Sequence, residues 1–234
     1  MSVLAIIPAR GGSKRIPRKN IRSFHGRPML AWPLGVARSS GLFDSIVVST
    51  DDEEVASIAI AHGAEVPFFR PPELADDHAG TESVVRHAID WWEANRGPTS
   101  LVCCLYPTAP FMRADDLRAA RDLLVAAPSL EYVISVTTFP FTIFRALRRD
   151  SAGHLGFFWP ENENVRSQDL PEAWHDAAQF YWGTNEAWRT GKSLFTERTL
   201  GFPLPRHRVQ DIDTPEDWQR AEALAASLLG AFEE

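Results

Sequence analysis

The chain has 234 residues, 44% hydrophobic and 24% charged, with 24 Lys+Arg against 31 Asp+Glu and a formal net charge of -7. That length suits one α/β domain with room for an elaboration, and the acidic balance argues against a general nucleic-acid binder, which carries a basic surface. The opening "MSVLAIIPARGG" has a short apolar run before Pro8 and no basic n-region, and no apolar stretch approaches the ~18 residues of a transmembrane helix, so the expectation is a cytoplasmic protein with no membrane partner.

Apolar β-type runs alternate with helical patterns, the signature of a largely parallel sheet covered by helices. "SVLAIIP" (Ser2 to Pro8) reads as the first strand and "SIVVST" (Ser45 to Thr50) as the second. "DDEEVASIAIAHG" reads as a helix, with Asp51 to Glu54 at its positive end and Gly63 as its C-terminal cap. "AEVPFF" reads as a short strand. "TESVVRHAIDWWEANRG" carries Val84, Val85, Ala88, Ile89 and Trp92 at helical spacing and closes on Gly97. "SLVCCLYP" is apolar on both faces, hence a central strand. Its adjacent Cys103 and Cys104 point to opposite faces, which makes a poor disulfide and a poor metal site; they read as reduced core residues. "RADDLRAARDLLVAAP" reads as a helix and "YVISVTT" as a strand.

Regularity breaks at residues 139–176, where short aromatic strands flank a turn at Ser151 to Gly153, an inserted hairpin rather than a βαβ unit. An insertion so rich in Phe and Trp suits packing against something other than its own sheet. "QFYWG" and "GFPLPRHRVQDID" read as strands. A final helix starts at Pro215, with Thr214 as capping hydroxyl, Asp217 as the acid of the third position and a stripe of Trp218, Ala221, Ala225, Leu228 and Phe232. The whole of 1–234 reads as one domain carrying that insertion.

Within this acidic chain, the segment from Arg10 to Arg22 holds Arg10, Lys14, Arg15, Arg18, Lys19 and Arg22 and no acid. "GGSKR" follows a first strand, where glycines let backbone N–H groups approach phosphate, yet it fits neither the Walker A nor the G-x-G-x-x-G spacing. A small-residue turn with cations on both sides suits an elongated polyanion such as a triphosphate. Near the other end, "QDIDTPEDW" places Asp211 and Asp213 two apart at the end of the predicted strand, so both carboxylates project from one face. Two readings stand on that spacing: a Mg²⁺ site completed by phosphate and water, or Asp213 as a cap of the final helix.

"IIPARGGSKRIPRKNI" resembles the opening signature of the CMP-sugar synthetases that activate nine-carbon α-keto acids. "RPMLAW", "VVSTDDEEVASIAIAHGAEVPFFRPPELADD", "YPTAPF", "RSQDLPEAWHDAAQFYWG" and "RVQDIDTPEDW" follow the family order over nearly the whole chain. "SKRIP", "SVTTFPFTIFRAL", "RSQDL" and "HDAAQFYWG" are most similar to the pseudaminic acid branch. The resemblance implies a nucleotidyltransferase-like, Rossmann-like α/β fold, CTP as co-substrate, Mg²⁺, and a homodimer whose inserted segment reaches toward the partner's site. It implies direct attack of the sugar's anomeric hydroxyl on the α-phosphorus of CTP, releasing pyrophosphate.

Residue by residue, the resemblance places Ala9, Arg10, Gly11, Gly12, Ser13, Lys14, Lys19 and Asn20 around the triphosphate, with Arg70 and Ser83 in the nucleotide pocket. Arg10, Lys14, Lys19 and Asp211 become the catalytic candidates, and Asp211 with Asp213 the metal ligands. Arg15 stands where the sialic acid branch often has glycine, which leaves it open between phosphate and substrate carboxylate. Tyr106 stands where that branch has Gln, which suits a less hydroxylated sugar. Arg166 suits a substrate carboxylate through two parallel hydrogen bonds, with Gln168, Asp169 and Gln179 as further substrate contacts. His175 and Asp176 stay open between sugar contact and structural polar residues. The same reaction on N-acetylneuraminic or legionaminic acid remains an alternative, as does a non-catalytic CTP-binding regulatory module.

Overall fold

The computed structural model describes residues 1–76, 79–191 and 193–229. In chain order the elements are β1 (Ser2–Pro8), β2 (Ser23–Phe24), β3 (Arg27–Pro28), α1 (Ala31–Ser40), β4 (Ser45–Ser49), α2 (Glu53–Ala61), α3 (Thr81–Asn95) and β5 (Thr99–Leu105). There follow α4 (Ala114–Ala126), β6 (Tyr132–Thr138), β7 (Leu147–Arg149), β8 (Leu155–Phe157), β9 (Trp174–Thr184), α5 (Asn185–Thr190), β10 (Thr199–Pro203) and α6 (Pro215–Leu229).

One mixed sheet runs in the order β10-β6-β9-β5-β1-β4. β1 pairs parallel with β4 and β5, and β10 with β6, while β9 runs antiparallel between β5 and β6. The apolar runs are continuous because both faces are covered. Ala5 and Ile7 of β1 and Cys103 and Leu105 of β5 enter one core, with Leu34 of α1 and Leu117 of α4. Leu4, Ile6, Val102 and Cys104 enter the other, with Val85 and Ile89 of α3 and Trp188 of α5. The two cysteines are free, fully buried and on opposite faces, and burial raises both thiols. This is a doubly covered, mostly parallel α/β sheet.

Local chemistry explains the ends. Asp52 caps α2 by accepting from the Val55 N–H at 2.9 Å, and Gly63, just past the last turn, adopts φ +87°. Thr214 and Asp217 cap α6 reciprocally: Asp217 N–H donates to Thr214 Oγ1 at 3.2 Å and Thr214 N–H to Asp217 Oδ2 at 2.9 Å. Trp218, Ala221 and Ala225 are buried as the stripe requires; Phe232 lies outside the described residues. The residues from 139 to 173 hold the β7–β8 hairpin, turning through Ser151–Gly153, and single helical turns.

Two expectations for strands are corrected. "AEVPFF" forms only isolated parallel bridges, Val47 to Glu65 and Thr50 to Phe69, because Pro67 cannot donate to a ladder. "GFPLPRHRVQDID" is a strand only over Thr199–Pro203. Pro203 and Pro205 end the ladder, a helical turn follows at Arg206–Arg208, and residues 211–213 lie outside any strand. Asp211 and Asp213 therefore do not owe their placement to a strand face.

Candidate active site

A cleft of about 550 Å³ opens beyond the C-terminal ends of β1 and β5. The chain passes from β1 to β4 on one side of the sheet and then back to β5 on the other, so the cleft sits where strand order reverses, the usual ligand position in such sheets. Its lining gathers Arg10, Ser13, Lys14, Arg15, Lys19 and Asn20 of the basic loop, with Arg70, Tyr106 and Asp213. Residues far apart in sequence meet here because of a third apolar cluster. Ile16, buried inside the basic loop, packs with Phe24, Met29, Phe111, Ile212 and Trp218, and thereby pins the loop against the acidic segment.

Several loop residues have a traceable role. Asn20, buried, donates its amide to the Arg10 carbonyl at 2.9 Å and so holds the loop's shape. Gly11 donates its N–H to Asp51 Oδ1 at 2.9 Å, and a Cβ on Gly11 would lie 2.6 Å from Asp52 Oδ2. Its lack of a side chain serves packing against the α2 cap. A Cβ on Gly12 would meet nothing within 4 Å, so that glycine faces open space instead. Arg18, at φ +57°, pairs with Asp52 at 2.5 Å and with Glu54, clamping the loop to α2. That guanidinium holds the Asp52 carboxyl below its usual range. Arg10 donates to the Asp76 carbonyl at 2.9 Å. Ala9 is fully buried and bonds Ser49 through its N–H.

Arg70 is buried at the floor, donating to Ser49 Oγ at 3.1 Å, to the Ser49 carbonyl and to the Leu74 carbonyl. Burial, reinforced by the Arg10 charge, lowers its pKa to about 10, so it remains cationic at neutral pH. Tyr106, on the opposite wall, lies 3.2 Å from Thr81 Oγ1 through its hydroxyl and meets Tyr181 edge to face at 5.2 Å; burial pushes its phenol up to about 12. Tyr181 in turn donates to Asp176. A bulge at Ala178, φ +48°, bends β9 and brings Asp176 to this side of the sheet.

At the acidic end, Lys19 Nζ donates to the Ile212 carbonyl at 2.5 Å and to Asp213 Oδ1 at 3.1 Å, while Arg15 Nη2 pairs with Asp213 Oδ2 at 2.8 Å. The Asp213 carboxyl is lowered by these cations against its own desolvation. Asp211 behaves oppositely: desolvation first and the Asp213 charge second raise it, although the residue is exposed to water and, unlike Asp213, lies outside the cleft lining. Its carboxylate accepts no hydrogen bond from a described residue. A carboxylate left without donors beside a second one suits a hard cation. Among the described residues no group of three or more His, Cys, Asp or Glu is placed to hold a metal. A Mg²⁺ ion takes only one or two protein carboxylates and completes its shell with water and phosphate.

Several sequence candidates lie outside the cleft lining. Ser83 donates to the Gly80 carbonyl at 2.7 Å, and α3 presents Thr81 and Val84 instead. Gln179 is buried, donating to the Arg208 carbonyl at 2.6 Å. Arg166, Gln168 and Asp169 sit exposed on the insertion. His175 bonds the Asp176 carbonyl and packs on Phe139 at 4.6 Å between ring centres. Thr81, Thr108, Ile16 and Ile212 carry no strong sequence signal as site residues; for the last two the signal is an isolated apolar residue inside a charged motif.

Residues 4–144 match the family described as Cytidylyltransferase. The chain is 41% identical over 224 residues to the pseudaminic acid cytidylyltransferase of Campylobacter jejuni, covering 96% of each. It is 33% identical over 234 residues to the CMP-N,N'-diacetyllegionaminic acid synthase of Legionella pneumophila, again covering 96% of each. Among solved structures, CMP:2-keto-3-deoxy-manno-octonic acid synthetase complexed with CTP shares the fold at a TM-score of 0.69 and 16% identity, with 97% of this chain and 99% of that one covered. With its cleft at the sheet's switch point and this match over most of its length, the chain belongs to the cytidylyltransferase family of enzymes.

Proposed function

We propose that this enzyme joins CTP to a nonulosonic acid, pseudaminic acid before its relatives, giving the CMP-sugar and pyrophosphate. The observation that carries the reading is the cleft itself, where Arg10, Lys14, Arg15, Lys19 and Arg70 converge beside Asp213 and opposite Tyr106. The sugar's anomeric oxygen attacks the α-phosphorus, a new P–O bond forms, and the bond to the bridging oxygen of the β-phosphate breaks. The loop cations offset the charge that develops on departing pyrophosphate. Arg10 and Lys14 bind the phosphates, and Lys19 sits between them and the acidic pair. Asp211 and Asp213 hold a divalent cation, which when bound supplies further charge neutralisation at the phosphates. Tyr106, whose hydroxyl is oriented by Thr81, faces the sugar.

The reading extends to the assembly. The chain works as one domain, 1–234, with the insertion as its contact to a second copy. Phe141, Leu155 and Phe158 stand 84%, 65% and 59% exposed along that one segment, apolar surface suited to a second copy. Exposed Arg166, Gln168 and Asp169 then act at the rim, Arg166 on the substrate carboxylate.

The test is pyrophosphate release with CTP and Mg²⁺, offering pseudaminic, legionaminic and N-acetylneuraminic acids in parallel. Release with pseudaminic acid foremost, lost in Asp211→Ala, is the expected result. Release chiefly with another of these acids keeps the chemistry and overturns the reading of Tyr106. CTP binding without release from any of them favours a nucleotide-binding module.

A further inference from the structure

Arg15 is the basic-loop residue whose role the motif leaves open, and its position is informative. Asp213 has both carboxylate oxygens occupied by cations: Lys19 on Oδ1 at 3.1 Å and Arg15 on Oδ2 at 2.8 Å. The two cations are not alike. Lys19 is 19% exposed and is also bonded to the Ile212 carbonyl, so it is fixed in place. Arg15 is 62% exposed, lies on the cleft lining, and has Asp213 as its one ion-pair partner among the described residues. A solvent-exposed ion pair of this kind is weak. A triphosphate entering the same cleft offers Arg15 several anionic oxygens in a geometry that a guanidinium matches in two-point fashion.

We infer that Arg15 is a movable cation that holds one Asp213 oxygen while the site lacks nucleotide and passes to the phosphates when CTP enters, freeing that oxygen as a metal ligand. The inference rests on the reading of Asp211 and Asp213 as the metal pair. Its consequence is coupling: the divalent cation binds the nucleotide-free protein weakly, and CTP increases the affinity without any motion of the backbone. The fixed Lys19 cannot serve this purpose, since its second bond, to the Ile212 carbonyl, keeps it beside the acidic segment.

The experiment has two readouts, neither of them turnover. Nucleotide-free protein is titrated with Mn²⁺ and free Mn²⁺ followed by electron paramagnetic resonance; separately, CTP binding is measured in EDTA. Arg15→Ala is expected to bind Mn²⁺ about two- to fivefold more tightly than the wild type. The same variant is expected to bind CTP about tenfold more weakly. Arg15→Lys, which keeps the charge, falls near the wild type in the first. A variant merely damaged in structure loses both affinities, so the opposite signs identify the exchange. Arg15→Ala with Mn²⁺ affinity unchanged or weakened overturns the inference, as does unchanged CTP affinity. If Asp213→Asn abolishes Mn²⁺ binding while Arg15→Ala gains nothing, the metal reading stands and the Arg15 exchange falls. If Asp213→Asn leaves Mn²⁺ binding intact, both fall.

Discussion

The Lys19 ammonium lies 3.1 Å from the Asp213 carboxylate, 194 positions further along the chain, and 2.5 Å from the carbonyl of Ile212. This bond joins the basic loop after β1 to the acidic segment before α6, and the two segments also share one apolar cluster through Ile16 and Ile212. Lys19→Met keeps the aliphatic stem and removes the donor. The expected result is a fall of about 10²-fold in kcat/KM for CTP, the scale of losing one preorganised cation at a charge-developing site, with a melting temperature close to the wild type. A loss of folding of the same severity as the loss of rate would instead make Lys19 a structural tie.

Gly11 carries a sharper steric demand than the phosphate-approach reading of a glycine pair implies. A Cβ there meets Asp52 at its Oδ2, Cβ and Cγ, all under 3.0 Å, and Asp52 is both the α2 cap and the partner of Arg18. Gly11→Ala is expected to cost about 1–3 kcal/mol in urea unfolding, with activity lost along with it. Gly12→Ala meets nothing within 4 Å and is expected to unfold at the wild-type urea concentration. Equal behaviour of the two variants removes the packing account of Gly11.

The difference between these glycines marks where sequence reading reaches its limit. Alternating and periodic apolar patterns correctly indicate β1, β6 and α6, and the charge-free Cys103–Cys104 run locates a central strand, because burial on both faces leaves a direct compositional trace. The basic loop and "DID" are visible as candidate chemistry for the same reason, as local departures from an acidic background. What joins them is not visible: Ile16 and Ile212 are single apolar residues in charged surroundings, and their packing is a tertiary fact. The Asp211–Asp213 spacing suggests a strand face, but Pro203 and Pro205 end the ladder before it, and Lys19 and Arg15 hold Asp213 alone of the two. The motif around Gln179 points to substrate, while the bulge at Ala178 turns the side chain into the interior.

Acid stability follows from Arg18. Its hydrogen bond to Asp52 lowers that carboxyl's pKa in the folded protein, outweighing the opposing desolvation. A group depressed on folding contributes stability that is present above its unfolded value, about 4, and is lost as pH falls through the lower folded value. Thermal melts between about pH 6 and pH 3 should therefore show a steeper decline in the wild type than in Arg18→Met, with the two curves converging at the acid end. Parallel curves would mean that Asp52 titrates in the folded protein much as it does unfolded.

Behind the acidic segment, Arg208 pairs with Asp116 of α4 at 2.5 Å, with side chains only 7% and 17% exposed, and the Arg208 carbonyl accepts from Gln179 at 2.6 Å. The pair anchors the chain three residues before Asp211. Removing one partner strands a buried charge, so Asp116→Ala is expected to lower stability by about 3–5 kcal/mol in urea. Gln179→Leu tests the other anchor without creating a charge: it removes the amide bonded to the Arg208 carbonyl and also the Gln179 Oε1 that lacks a partner inside the protein. Because one lost bond is offset by the removal of one unsatisfied atom, its expected cost is about 1 kcal/mol, well below that of Asp116→Ala. If Gln179 instead contacted the sugar, the variant would raise the sugar KM while leaving both CTP KM and stability alone. Steady-state kinetics with each substrate varied in turn, beside one urea titration, separates the two.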